Sequence, residues 1–586
     1  MATQVQKYSN NDLADIFDRI ASLLEIKGEV VFKIRAYQKA AESLRVLGED
    51  INTVAAEGRL GEIPGVGKAI AEKIEELLTT GQLGFLERLE AEVPPTLLEL
   101  LRVPDVGPRK TAMFWKELGI TDLAGLEAAA KAGKLRGLPG MGEKSEARIL
   151  AGIAALGRRS DRMTQGLAWP AAERWLAWLR EQPGVLRAEP AGSLRRWRET
   201  IGDLDLVVAC AGADGAPDSP VMANFVGHPE VERVLGQGDN KSSVELKGGM
   251  RIQLWATTAE RFGSLWVYAT GSKAHNVRLR ELALKKSLSL SDRGMQAEDG
   301  TLQTYADEAS LYQALGLDWT PPELREDRGE IEAAQRHALP RLIELADMRA
   351  ELHAHTTWSD GVASIREMAR AAQARGLNLL AITDHSAYLG ITGGLVAGDL
   401  PRQRTELEQV QREMGDGLRL LQGIEVDITA DGSLALPDDA LASLDLVIAS
   451  LHSTLRQPRE VITARLIRAM HNPHVDIIAH PSGRLLPNRE GADLDWDAVL
   501  AAARETGVAL EINASPSRLD LNDVYAHRAV ELGIPLVIDT DTHTPDGFEE
   551  ARFGVEVARR AWVTPDRVIN TWKPGEIEAW LKGHRS

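Results

Sequence analysis

The chain has one cysteine, Cys210, among 586 residues, so an intramolecular disulfide framework is excluded. No apolar run approaches the roughly 20 residues that span a bilayer, and no apolar segment follows Met1. Export and membrane insertion therefore find no support, and a cytoplasmic protein is the expectation. Bulk disorder is equally unsupported, because 44% hydrophobic and 26% charged residues are the proportions of ordinary globular proteins. At roughly 100 to 200 residues per domain, a chain of this length divides into several folding units.

What the sequence has in excess is negative charge, a net −18 at pH 7. Spread evenly, it would oppose a nucleic-acid partner, since polyanion binding rests on Lys and Arg neutralising phosphates. It is not spread evenly. Residues 101–200 hold 18 Lys plus Arg against 11 Asp plus Glu, a net of +7, whereas 351–550 hold 16 against 31, a net of −15. A basic module able to grip a polyanion beside an acidic one that collects cations fits these counts, and so do two solvated surfaces of differing composition.

The first 155 residues read as short helices, with Leu13, Ile16, Phe17, Ile20, Leu23 and Leu24 at helical spacing. Within them Ile63-Pro-Gly-Val-Gly67, Val103-Pro-Asp-Val-Gly107 and Leu138-Pro-Gly-Met-Gly142 recur, each ahead of a polar helix-forming run. These look like helix-hairpin-helix turns. Such turns grip DNA without reading sequence, because Gly-x-Gly lets backbone N–H groups approach a phosphate at a helix N-terminus. Gly65, Gly67, Lys68, Gly107, Gly140 and Gly142 are the candidate contacts, and Asp105 blunts the middle copy with a negative charge. A plain turn is the competing reading of any one copy.

From about 160 to 318 the pattern becomes mixed helix and strand. Gly192-Ser-Leu-Arg-Arg196 precedes Gly202-Asp-Leu-Asp205, and carboxylates at i and i+2 project from one face of a strand, where they can share divalent metal. A Gly-Ser turn with Arg nearby can cradle a triphosphate. The segment from Trp319 to Gly329, with paired prolines and dense charge, reads as an exposed connector and the main boundary.

Beyond it, seven short apolar runs alternate with helical patterns: Ala350 to His353, Leu379 to Thr383, Leu420 to Val426, Leu444 to Ser450, Val475 to Ala479, Val508 to Ile512 and Pro535 to Ile538. That alternation specifies parallel strands joined by helices, and closed on itself it makes a (β/α) barrel with its site at the C-terminal strand ends. At those ends stand His353, His355, Asp384-His385, Glu425, His452, His480, Asp541 and His543, with Asp360 a short loop further on. Imidazoles and carboxylates are ligands for Zn, Mn and Fe, and scattered residues converge only if each sits at the same end of a parallel strand. Each alone is more simply a cap or a satisfied core residue; the set is not. Arg484, in His480-Pro-Ser-Gly-Arg484, is a candidate for holding a phosphate oxygen. Serine and cysteine catalysis find no support.

The order His-x-His, x4-Asp, Thr-Asp-His, Gly-Ile-Glu, Ser-Leu-His, Ala-His-Pro and Asp-x-His resembles the PHP (polymerase and histidinol phosphatase) family over about 200 residues. The resemblance implies a distorted (β/α)7 barrel with two or three Mn, Zn or Fe ions. Its implied ligands are His353, His355, Asp360, His385, Glu425, His452, His480, Asp541 and His543, with Glu425 bridging two ions. A water activated between two dications would then attack phosphorus in line.

Residues 1–318 resemble the core of family X DNA polymerases, through the hairpin repeats, the Gly-Ser and Asp-x-Asp motifs, and Tyr268-Ala-Thr-Gly-Ser272 followed by Asn276 and Arg280. The resemblance implies Mg or Mn on Asp203 and Asp205, and triphosphate on Gly192, Ser193 and Arg196 beside Gly202. Sugar and base would lie at Tyr268, Gly271, Asn276 and Arg280, and Lys73 matches the family's Schiff-base lysine. Gln253 stands where the family has a third carboxylate, Trp197 where it has glycine, and Ala269 where it has an aromatic residue, and the last two are expected to alter the nucleotide pocket. Gln cannot carry the charge that holds the ion activating the primer hydroxyl, so polymerisation that is low, Mn-dependent or absent is expected.

The implied fold class is multi-domain α/β, divided into a lyase-like helical domain at 1–90, helix-hairpin-helix fingers at 91–157, a nucleotidyltransferase palm and thumb at 158–318, a linker at 319–345 and the PHP barrel at 346–586. The implied function is DNA repair, with a metal-dependent 3′-5′ exonuclease in the barrel and gap filling from deoxynucleoside triphosphates on gapped or primer-template DNA. Two other readings stay open: a nuclease with a non-catalytic, DNA-clamping polymerase core, and a small-molecule phosphatase, which would leave the hairpin repeats without purpose.

Overall fold

The computed structural model describes residues 8–585 apart from 9, 46, 48, 50, 102, 104, 105, 157–161, 214, 215, 390–392 and 488. Asp105 thus lies outside the described residues. The chain forms two compact units, Met1–Ser160 and Asp161–Ser586. None of the described helices is long and apolar enough to cross a membrane.

The first unit is helical around one apolar cluster that runs from Leu13 to Ile149. The division expected near residue 90 is not a break in this core, since Leu83, Leu89, Val93 and Leu97 are all buried across it. Each hairpin closes with the same backbone bond: Val66 N–H donates to Ile63 O, Val106 to Val103 O and Met141 to Leu138 O, at 3.0, 3.1 and 3.0 Å. Gly65 and Gly140 adopt φ of +83° and +71°, which glycine reaches without a Cβ clash. Gly67 and Gly107 then cap the helices Lys68–Thr80 and Pro108–Leu118. A Cβ on Gly67, Gly107, Gly140 or Gly142 would meet nothing within 4 Å, so no neighbouring group crowds these glycines.

The second unit begins with a five-stranded sheet of β1 (Val185–Pro190), β2 (Leu204–Cys210), β3 (Val231–Gly236), β4 (Lys241–Leu246) and β5 (Arg251–Thr258), ordered β1-β2-β5-β4-β3. β2 and β5 pair in parallel at its centre; the other pairs are antiparallel. The barrel follows as β6 (Ala350–Glu351), β7 (Leu379–Ile382), β8 (Arg419–Asp427), β9 (Leu446–Ser450), β10 (Ile477–Ala479), β11 (Ala509–Asn513) and β12 (Leu536–Asp539), all parallel and in chain order. The Ala354–Thr542 bridge brings the two ends of this sheet together. The strands are buried almost throughout, as sheets covered by helices outside and packed side chains inside must be.

The expectation of an exposed connector at Trp319–Gly329 is corrected. Thr320, Arg325 and Glu330 are fully buried, and Glu323 nearly so. Arg325 donates to both oxygens of Glu308 at 2.8 and 3.0 Å, and Glu308 also receives Arg195 at 2.7 and 2.8 Å. Charge density that reads as solvation is here spent inward on ion pairs. The main boundary accordingly falls at Ser160, and the five-stranded sheet and the barrel share one compact unit.

Their junction is itself ionic. Arg560, fully buried, donates to Arg196 O at 2.6 Å, Glu326 Oε1 at 3.0 Å and Asp523 Oδ2 at 2.9 Å. Arg328 reaches the same Asp523 oxygen at 3.0 Å. Burial alone would raise the Glu326 carboxyl, but Arg560, Arg196, Arg198 and Arg328 hold it down at about 2. Because the folded value lies below that of the unfolded chain, near 4.3 or so, this stabilisation is complete above the unfolded pKa and is lost as pH falls toward about 2. Denaturant titrations between pH 5 and pH 3 or so should show Glu326→Gln losing less stability than the unsubstituted protein, by an amount on the order of 1 to 3 kcal/mol. Parallel pH profiles would remove Glu326 from the network.

Candidate metal centre and nucleotidyl-transfer site

The barrel centre is built around Glu425 on β8. Imidazole nitrogens of His353, His355, His385, His452 and His480 lie 2.8 to 3.6 Å from its two oxygens. Three sets of donor atoms close to within 4.8 Å: His353, His355, Glu425 and Asp541; His385, Glu425 and His452; His355, Asp360, His385 and His543. His480 falls outside these sets, yet its Nε2 lies 3.0 Å from Glu425. Every expected ligand thus converges on one end of the barrel. Asp384 does not join them: it accepts from Thr356 N–H, Thr356 Oγ1, Ser359 Oγ and Gln403, and so braces the loop leading to Asp360.

The donor set fits divalent metal. Buried and without a hydrogen-bond partner are His353 Nε2, both ring nitrogens of His355, His385 Nδ1, His480 Nδ1, Glu425 Oε2 and Asp541 Oδ1. Unpaired buried polar atoms cost about 1 to 3 kcal/mol each, and a coordinated cation is what offsets such a cost. The rear nitrogens are held as in metal sites, where the second ring nitrogen faces a carboxylate or carbonyl. His353 Nδ1 lies 2.7 Å from Glu511, His452 Nδ1 lies 3.0 Å from Asp427, and His543 Nδ1 lies 2.8 Å from Asp541 O. Burial would raise the carboxyls of Glu425 and Asp541, but the surrounding imidazoles hold both well below the usual range. Positive φ at Asp541, +54°, and His480, +29°, places backbone strain at the donors themselves.

Asp427, Glu511 and Arg518 were not singled out from the sequence. The first two were in principle findable, since Asp427 lies two residues beyond Glu425 on its strand, and Glu511 is an acid inside an otherwise apolar buried run. Arg518 carries no such signal; its Nε lies 3.6 Å from Asp541 Oδ2. The expectation for Arg484 is corrected. Its guanidinium is spent on Glu199, at 2.8 and 3.1 Å, and on the carbonyls of Arg518 and Leu519, so it ties the barrel to the loop after Arg196.

In the five-stranded sheet, Asp205 and Gln253 are register partners on β2 and β5, and Gln253 Nε2 donates to Asp203 Oδ2. The amide therefore sits against the paired carboxylates. Burial and the neighbouring Asp203 push Asp205 up to about 7. Gly192, at φ +57°, lies so close to Asp205 that a Cβ there would collide with its carboxylate. Lys241, also missed, lies over the Trp255 ring at 3.9 Å and draws the Asp205 pKa down in part.

Two expectations are corrected here. Arg196 donates to Glu326, at 3.1 Å, and to Thr270 O, so its guanidinium is committed rather than open to a triphosphate. Trp197 lines no nucleotide pocket: it stacks on Trp169 at 4.5 Å and meets the edge of Phe553 at 6.0 Å, because the ring turns toward the barrel. Ala269 packs against the cluster of Ala191, Val207 and Phe262. Asn276 donates to Tyr268 O at 2.8 Å, Arg280 to Asn276 O at 3.2 Å, and Gly271, at φ +70°, abuts Arg196. Ser193 lies in the short helix Gly192–Arg195, and Gly202 lies in the bend just before β2. In the first unit Lys73 is solvated, donating to Ala69 O at 3.0 Å and lying over the Phe85 ring at 5.2 Å.

Fold and site define a class: helix-hairpin-helix repeats, a sheet bearing paired carboxylates and thumb helices, and a PHP-type barrel with a multi-donor centre. The profile of a helix-hairpin-helix domain matches residues 8–83, a SAM-like helix-hairpin-helix tandem 97–155, the DNA polymerase beta thumb 265–326, and the PHP domain 351–515. The thumb match runs through most of the buried turn once expected to be linker. The DNA polymerase/3′-5′ exonuclease PolX of Bacillus subtilis (strain 168) is 38% identical over 576 residues, 97% of this chain and 99% of its own. A probable phosphatase of Thermoanaerobacter sp. (strain X514) is 35% identical over 251 residues, 40% of this chain and 94% of its own. One from Shewanella sp. (strain MR-4) is 33% identical over 253 residues, 40% of this chain and 93% of its own. The chain belongs to the PolX family, family X DNA polymerases with a C-terminal PHP domain.

Proposed function

We propose that this chain is a DNA-repair enzyme that trims 3′ ends in the barrel as a metal-dependent 3′-5′ exonuclease and extends primers, weakly, in the five-stranded sheet. The observation that carries the reading is the cluster of buried, unpartnered imidazole and carboxylate atoms around Glu425. His353, His355, Asp360, His385, Glu425, His452, His480, Asp541 and His543 would hold two or three Mn, Zn or Fe ions. Such ions supply Lewis acidity and lower the proton affinity of water. Glu511, Asp427 and the Asp541 carbonyl fix the histidine rings so that their free nitrogens face inward. Asp203 and Asp205 would hold Mg or Mn, beside Ser193 and the Tyr268–Asn276 turn for the nucleotide. The hairpin glycines supply backbone donors for duplex phosphates, and a gapped or primer-template DNA gives both centres a substrate. Lys73 has only the family match in favour of a lyase role.

A second reading, a nuclease whose polymerase core only clamps DNA, draws support from Gln253 and from the commitment of Arg196 to Glu326. One gel separates them. Labelled gapped DNA with Mn or Mg should be shortened by both the unsubstituted protein and Asp203→Ala, and extended, when nucleotides are added, by the unsubstituted protein alone. Extension that survives Asp203→Ala, or absence of shortening in both, would contradict the proposal; absence of extension in both would favour the clamp.

A further inference from the structure

Three arginines, Arg484, Arg489 and Arg518, lie close together beside Asp541, and two are spent. Arg484 is locked on Glu199 and two carbonyls, and Arg489 donates to Gly483 O at 2.8 Å. Arg518 is different. Among the described residues its guanidinium makes no hydrogen bond, and its one ionic contact is the 3.6 Å approach of Nε to Asp541 Oδ2. The side chain remains 19% exposed.

The backbone beneath it is pinned from three sides. Arg518 N–H donates to Ser515 O at 2.8 Å, Arg518 O accepts Arg484 Nε at 2.8 Å, and Asp520 accepts Ser482 N–H and Oγ at 3.0 and 2.9 Å. A side chain on so fixed a loop is held where it is useful. Asp541 divides its oxygens: Oδ1 faces His353 and His355 at 3.5 and 3.0 Å, while Oδ2 faces Asn513 at 3.2 Å and Arg518. Arg518 therefore stands on the side of a donor carboxylate away from the imidazoles, with N–H groups unspent on hydrogen bonds among the described residues.

Resting on the phosphoesterase reading above, we propose that Arg518 grips a non-bridging oxygen of the scissile phosphate and is the charged side chain that orients it against the metal centre. A guanidinium fork suits phosphate because two parallel N–H groups meet two oxygens, which an ammonium cannot reproduce. The ligand class is a phosphodiester or its phosphate product.

The test compares metal-loaded full-length protein with Arg518→Gln and Arg518→Lys. Inorganic phosphate binding is read by calorimetry, bound metal per chain by elemental analysis, and hydrolysis on a labelled 3′ end. The expected result is a phosphate dissociation constant raised about ten- to a hundredfold in Arg518→Gln and less in Arg518→Lys, with metal content unchanged. Equal phosphate affinity in all three, no phosphate binding to the unsubstituted protein, or metal loss in Arg518→Gln would overturn the assignment, the last by making Arg518 a support for Asp541. If Arg518→Gln does not fold, Arg518→Lys carries the test: weaker phosphate binding supports the assignment and unchanged binding overturns it. Should phosphate binding follow Arg518 while no DNA end is shortened, the arginine assignment stands and the DNA-directed reading falls.

Discussion

Glu425→Ala should reduce 3′-end hydrolysis by about a thousandfold or more and leave the barrel short of bound metal. Five imidazoles face this one carboxylate, and it contributes a donor atom to two of the three donor sets. Its removal takes away both the charge that collects cations and the oxygens able to join two of them. Lewis-acid activation is worth several kcal/mol in a transition state, and about 4 kcal/mol is a thousandfold in rate. Hydrolysis of a labelled 3′ end, with metal per chain measured on the same preparation, checks it. Full activity with normal metal content would remove Glu425 from the centre. An unchanged unfolding midpoint in the metal-free state would separate loss of metal from loss of fold.

Gln253→Asp should do the reverse in the other site, raising single-nucleotide extension by about ten- to a hundredfold at limiting Mg. The strand register pairs position 253 with Asp205, and the Gln253 amide already touches Asp203, so a carboxylate there would join the existing pair. Two unit charges at 4 Å attract by about 4 kcal/mol at an effective dielectric near 20. Desolvation and ligand ordering take much of that, and a net gain of about 1.4 to 2.8 kcal/mol is the tenfold to hundredfold expected. Without metal the third acid crowds two others, so the apo protein should be less stable than the parent. Steady-state incorporation against Mg concentration decides the point; an unchanged Mg dependence would mean that position 253 does not limit the reaction.

The barrel was legible because its signals are local and periodic. Buried parallel strands are short apolar runs, and a donor directly after each run can only lie at one end of the barrel; His353, Glu425 and Asp541 could be placed together for that reason. Gln253 was legible for a similar cause, since the carboxylate-free strand could be counted residue by residue. Arg196, Trp197 and Arg484 were misjudged because each meets a residue far away in the chain: Arg196 meets Glu326, Trp197 meets Phe553, and Arg484 meets Glu199. No periodicity reports such pairings. The turn at 319–329 misled for the converse reason, as Arg and Glu facing inward in pairs have the same composition as Arg and Glu facing water.

The Arg560 knot carries a warning for dissection of this chain. Cutting the barrel away would take Arg560 from Glu326 and from the Arg196 carbonyl, and removing one partner of a buried ionic network destabilises by about 3 to 5 kcal/mol. A barrel-less fragment that cannot extend a primer would then report a collapsed nucleotide loop, not a polymerising barrel. Each centre is better silenced in place by single substitutions, because the two halves share a keystone.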